Sequence, residues 1–136
     1  MVLTQQLVYI YGPEYISDLG DLSLKYLDEF WTAAATRLKR LQLGNDLPGY
    51  QNNNLESDQL KLECGAESLN AKTLLSYLDL SNLAKLTKGL DVSGCIKLET
   101  LKALGTNLPN ITLPKGNVIK TLYLPNTIKT IQLIEP

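Results

Sequence analysis

Leu75-Ser76-Tyr77-Leu78-Asp79-Leu80-Ser81-Asn82 carries three leucines in the pattern L-x-x-L-x-L and closes on an asparagine. The L-x-L core puts alternate side chains on one face of an extended strand. A helix needs spacings of three and four, which so short a unit does not supply. The same template, with aliphatic swaps, recurs at Leu38-Leu41-Leu43, Leu98-Leu101-Ala103, Leu108-Ile111-Leu113, Ile119-Leu122-Leu124 and Ile128-Ile131-Leu133. Partial copies stand at Leu60-Leu62 and Leu90-Val92. Leucine fills 29 of the 136 positions, while Phe, Trp and Met occur once each, so the interior is one packing site repeated. One such unit cannot bury its own apolar face, and stability comes from stacking neighbours.

The middle apolar residues fall at 41, 60, 78, 90, 101, 111, 122 and 131. The steps of 19 and 18 followed by 12, 11, 10, 11 and 9 would demand a coil that halves its length midway. Sorting the copies into a principal series at 41, 60, 78, 101 and 122 and a second at 90, 111 and 131 restores coils of about twenty residues. The expected fold is therefore a right-handed solenoid, mostly β with short helical or irregular turns. It has a parallel ladder of about five coils and, in the later coils, a second strand on the opposite side.

Four residues past each principal leucine lie Asn45, Cys64, Asn82, Gly105 and Asn126. Asn45, Cys64, Asn82 and Asn126 suit a structural ladder, because an amide or thiol there can donate to the backbone carbonyls of the next coil. Gly105 departs from the pattern. Gly94, Lys115 and Glu135, the matching residues of the second series, cannot build such a ladder. Pro114 and Pro125 directly after strands, with Gly94, Gly105 and Gly116 at corners, complete the turn chemistry.

Residues 1–37 form the other expected unit, an irregular N-terminal capping coil ahead of repeats over 38–136 that stop as though truncated at the C-terminus. Leu7 to Tyr11 reads as a strand ended by Gly12-Pro13. From Ser17 to Arg40 two readings stand: a helix capped by Asp18 or Asp21, or a strand over Tyr26–Phe30 with a helical turn at Ala33–Ala35. A cap with a short helix is the favoured one. Pro48 to Asn54 is a polar corner loop.

Composition removes several functions. With no histidine, Ser-His and Cys-His nucleophile pairs and His-containing metal sites are absent. Two cysteines supply neither a zinc cluster nor a disulfide framework, and both are expected reduced. No apolar run approaches membrane-spanning length, and the opening residues lack a signal-peptide pattern. Residues 1–70 carry a net charge of −5 and residues 71–136 one of +4, the latter through scattered lysines that keep an apolar array soluble. The overall −1 gives no field that recruits nucleic acid. No cofactor and no metal site are expected.

The units Leu90 to Leu98 and Ile111 through Pro125 resemble leucine-rich repeats of the irregular bacterial kind, found in large surface and secreted proteins of gut bacteria. The opening stretches Tyr9 to Gly12, Tyr15 to Leu22 and Leu41 to Asp46 are also similar to leucine-rich segments in large virion proteins of gut bacteriophages. The resemblance implies a non-catalytic module for protein or glycan binding within a larger protein. A virion or bacterial-surface location would follow from it. The alternative is a structural segment of such an assembly with no ligand of its own.

The binding candidates are the outward residues of the principal strands: Arg40, Gln42, Lys61, Tyr77, Asp79, Lys102 and Tyr123, flanked by Gln59, Thr100 and Thr121. Two tyrosines in a mixed polar row give such a face contact energy, although a merely solvated sheet face has the same composition. Asp79 and Asp91 would lie on opposite sides of the coil, too far apart to act as a glycosidase pair. No enzyme activity is expected, and self-association through the open C-terminal strand edge is the remaining partner expectation.

Overall fold

The computed structural model describes residues 6–11, 17–23, 27–33, 38–47, 55–62 and 74–135. Among them the chain forms β1 (Gln6–Tyr11), β2 (Asp18–Asp21), β3 (Leu27–Ala33), β4 (Arg40–Gln42), β5 (Leu60–Leu62) and β6 (Tyr77–Asp79). There follow β7 (Leu90–Asp91), β8 (Thr100–Lys102), β9 (Asn110–Pro114), β10 (Thr121–Tyr123) and β11 (Thr130–Ile134). The one helical element among the described residues is a 3-10 turn at Ser57–Gln59.

Every registered strand pair is parallel. The even strands form a five-stranded sheet in the order β10-β8-β6-β4-β2. The odd strands form two three-stranded sheets, β1-β3-β5 and β11-β9-β7. A parallel neighbour is reached only by a crossover, and here the chain crosses to the other flank after each strand. The result is a mostly parallel β-solenoid of about four turns. Opposing strands accompany the coils from β1 onward, and are not confined to the later ones.

The core is the stack that the leucine spacing calls for. Leu41, Leu78 and Leu101 are in register and fully buried, with Leu43, Leu80 and Ala103 beside them. Leu90, Val92, Ile111 and Leu113 close it from the odd flank. Each such side chain gains roughly 1.5–3 kcal/mol on leaving water, an upper figure for an extended unfolded chain.

Leu60 overturns part of the expected sorting. It lies in β5 and pairs with Phe30 of β3, so it does not sit between Leu41 and Leu78. Arg40 and Tyr77, direct partners, are 37 residues apart, whereas Tyr77 and Thr100 are 23 apart and Thr100 and Thr121 are 21 apart. The steps of 19 and 18 are thus the two halves of one long coil. In the N-terminal third, Leu27–Ala33 takes the strand alternative as β3. Asp18, one of the two caps considered for a helix, opens β2, and Asp21 closes it.

A repeated device ends the strands. Asp18, Asp21, Asp79 and Asp91 each accept, through Oδ1, the N–H two residues on, at 2.7, 2.9, 2.9 and 2.9 Å. The last three satisfy a backbone donor as the ladder stops, whereas that of Asp18 lies within β2, where its pairing with β4 shifts register. Corners follow in left-handed backbone at Asn82 (φ 64) and Gly105 (φ 81), which favour asparagine and glycine.

Candidate functional site

The inward leucines fix which residues face outward, since neighbours along a strand alternate. On the five-stranded sheet two outward rows result. Asp18, Arg40, Tyr77, Thr100 and Thr121 are aligned in one; Asp21, Gln42, Asp79, Lys102 and Tyr123 in the other. Six of the seven predicted binding residues therefore share one sheet. Lys61 does not: it belongs to β5 and pairs with Trp31 on the odd flank, because the long coil carries that strand across. Gln59 ends the 3-10 turn before β5.

The centre of the face is Tyr77. The Arg40 guanidinium, from the strand on one side, lies 4.7 Å from its ring centroid, and Lys102 Nζ, from the strand on the other, lies 5.6 Å away. Both distances are within reach of cation–π attraction. Arg40 also donates to Gln42 Oε1 at 3.1 Å and stands 3.7 Å from Asp18 Oδ1. Lys102 donates to Asp46 Oδ2 at 3.4 Å. Burial works against the charge on Lys102, yet its hydrogen bond to Tyr77 and the attraction of Tyr77 and Asp46 outweigh it and raise its pKa above the usual lysine value.

Asp79 is 1% exposed although it occupies an outward position. Ser81, two residues on, is also 1% exposed, and its hydroxyl has no hydrogen-bond partner. Asp91 is in β7, so the two aspartates considered as an acid and base pair belong to different sheets. Tyr123, by contrast, is 47% exposed and is the open aromatic of this face.

The ladder residues divide. Asn82 Nδ2 donates to the Asn45 carbonyl at 2.6 Å, across adjacent coils as its position implies. Asn45 Nδ2 reaches the Ser23 hydroxyl at 3.5 Å, and Asn126 is exposed. Cys64 and the loop at 48–54 lie outside the described residues. At Gly105, where no side chain is available, Asn107 Nδ2 instead donates to the Ala84 carbonyl at 2.7 Å. Cys95 lies between the turns at 93–94 and 96–97 and is buried in the core.

Three residues of the face escaped the sequence reading: Asp18, Asp21 and Asp46. The Asp-Leu-Ser of 21–23 repeats at 79–81 and, as Asp-Val-Ser, at 91–93, and that signal marks β2 as a strand end. Asp21 has its pKa lowered, first by the Ser23 hydroxyl and then by the Ser23 N–H; burial opposes them, and Arg40 adds a lesser attraction. A depressed carboxylate contributes stability above its unfolded pKa of 3.8 and loses it as pH falls through the lower folded value. Asp21→Asn should therefore flatten the acid limb of the stability–pH curve below about pH 4 and leave its alkaline limb unchanged. Urea titrations between pH 2 and 10 check this.

A second concavity lies at the break between the odd-flank sheets. A cleft of about 170 Å³ opens there over Leu60, Leu86, Leu90 and Leu108. In place of ladder bonds between β5 and β7, Ser57 Oγ accepts the N–H groups of Thr87 and Lys88, each at 3.1 Å. Lys88 Nζ holds both Asp58 oxygens, at 2.9 and 2.7 Å.

Fold and face together define the class, a β-solenoid repeat protein with one ordered polar sheet face. No protein-family model matches the chain, and no curated protein or solved structure is similar to it. Among the described residues no helix is long and apolar enough to cross a membrane, and no group of three His, Cys, Asp or Glu residues could hold a metal ion.

Proposed function

We propose that this chain is a non-catalytic leucine-rich-repeat module that binds a protein partner through the outer face of its five-stranded sheet. The observation that carries this reading is the registered pair of rows, in which Arg40, Gln42, Tyr77, Lys102 and Tyr123 stand on successive strands. Both charge signs are interleaved along it, which suits a mixed polypeptide surface better than a uniform polyanion. A glycan, the other class the sequence allows, is less favoured: the Tyr77 ring is engaged by Arg40 and Lys102, leaving Tyr123 as the aromatic with most open surface. The inward L-x-L stack and the Asn82 bond between coils support the leucine-rich-repeat assignment.

The test is selection of a displayed peptide library on the immobilised protein, followed by affinity measurement with variants. Tyr123→Ser is expected to weaken selected peptides about tenfold, the loss of about 1.4 kcal/mol at an aromatic contact. Affinities unchanged by Tyr123→Ser and Arg40→Ala together would remove the face from the function.

A second reading, a structural segment of a phage virion or bacterial surface assembly, is favoured by the residues paired with Ile111 and Leu113. Ile131 and Leu133 keep that core register but are 49% and 53% exposed. Sedimentation showing only monomer at micromolar concentration argues against self-assembly through this edge.

A further inference from the structure

Two strand edges meet at one end of the solenoid. β10 is the outermost strand of the five-stranded sheet, and β11 is the outermost of its sheet on the odd flank. The chain crosses flanks after each strand, so β11 runs opposite to β10 and stands half a coil beyond it. Core positions lie along this step. Ile131 and Leu133 of β11 are half exposed, and Leu122, Leu124 and Ile128 are only partly buried. The ladders fix which backbone groups face away from the sheets. The Tyr123 carbonyl accepts the Ala103 N–H at 2.7 Å on the β8 side, and the Ile134 carbonyl accepts the Lys115 N–H at 2.7 Å on the β9 side. Residues along a parallel strand bond alternately to its two sides, so Leu122 and Leu133 turn their N–H and C=O groups to the outer edges.

We propose that this end is a two-fold interface with a second copy of this chain, in which β11 of each copy pairs antiparallel with β10 of the other. The proposal rests on the self-association reading of this edge and supplies its partner and register. A two-fold axis along the strands exchanges the flanks, so the half-coil step of one copy fills that of the other and the pair closes. Head-to-tail stacking does not close: each copy has six odd strands against five even ones, so β11 beside β1 of a next copy leaves the even flank one strand short. With aliphatic side chains kept inward, Leu122 can face Ile131 or Leu133 of the second copy. Facing Leu133 sets Leu124 against Ile131 and Lys120 against Glu135, which brings opposite charges together. Lys120 and Glu135 are exposed, and each holds a surface ion pair, with Glu99 at 3.0 Å and Lys115 at 3.7 Å, that costs little to exchange.

Sedimentation equilibrium of the unsubstituted protein is expected to show monomer and dimer at micromolar concentration and no larger species. The register is read by cross-linking. Tyr123 and Gln132, both exposed, stand opposite each other across the proposed pair, so Tyr123→Cys and Gln132→Cys proteins are prepared separately. Oxidised together they should give a disulfide-linked dimer that neither gives alone. Glu135→Lys is expected to raise the dimer dissociation constant about tenfold, because two like-charged pairs replace two attractive ones. Lys120→Glu/Glu135→Lys should restore it. Monomer alone removes this proposal and the edge reading together. Association that grows beyond a dimer, ignores Glu135→Lys, or cross-links no better in the mixture than in the single variants overturns the proposal and leaves that reading standing.

Discussion

Leu101→Ala is expected to lower the free energy of unfolding by about 3 kcal/mol, within the 2–5 kcal/mol typical of a large-to-small change in a closed core. Leu101 has no exposed surface and lies in β8, between Leu78 and Leu122 of the flanking strands. Truncation opens a void that two neighbouring coils share, and coils in a solenoid are stabilised mainly through their nearest neighbours. Leu122→Ala supplies the comparison, since Leu122 is only half-buried in β10. Its cost should be about 1 kcal/mol, because solvent already reaches one side. Urea unfolding followed by circular dichroism reads both. A Leu101→Ala cost no greater than that of Leu122→Ala would mean that the leucines do not stack as one column.

Gly44→Ala should be comparably damaging for the opposite reason, excess volume. A methyl group at Gly44 would stand 2.5 Å from the Ser81 nitrogen and 2.6 Å from the Leu80 carbonyl carbon, both backbone atoms that cannot swing aside. Leu43 and Gly44 donate their N–H groups to the Asp79 carbonyl at 2.9 and 3.0 Å, so relief requires parting the chain after β4 from β6. A cost of about 3 kcal/mol, at the upper end for overpacking, is expected. Two glycines calibrate it. At Gly89 the methyl would meet only the Asn110 side chain, which can move, so the change should stay within about 0.5 kcal/mol. At Gly116 there is open space but a φ of 74°, and left-handed backbone should cost about 1 kcal/mol. Thermal unfolding of the three alanine variants in that rank order checks the prediction.

The strand-and-leucine grammar was legible because burial enforces it: the L-x-L copies from Leu75 to Leu113 are strands or strand edges with their aliphatic residues buried, and Ile131 and Leu133 keep the register in β11 though half exposed. Where neighbours were not twenty residues apart, spacing misled. Leu60 stands almost midway between Leu41 and Leu78, so a coil of double length imitated two ordinary ones. β2 has no L-x-L in Asp18-Leu19-Gly20-Asp21 and is held beside β4, so the Asp-Leu-Ser that it shares with 79–81 was the sequence signal of its end. For the face, row membership followed from alternation alone and held for Arg40, Gln42, Tyr77, Asp79, Lys102 and Tyr123. The burial of Asp79 did not follow, because alternation places it in the outward row with Gln42 and Lys102 and carries no signal of its depth.

The central claim is that successive strands alternate between two flanks, so that β4 and β6 are neighbours while β5 lies opposite, beside β3. Cross-strand nuclear Overhauser contacts measure this directly in isotopically labelled protein. Backbone contacts between Leu41 and Leu78, and between Trp31 and Lys61, are the predicted result. Contacts of Leu60 with both Leu41 and Leu78 would instead place every strand in one continuous ladder and contradict the account.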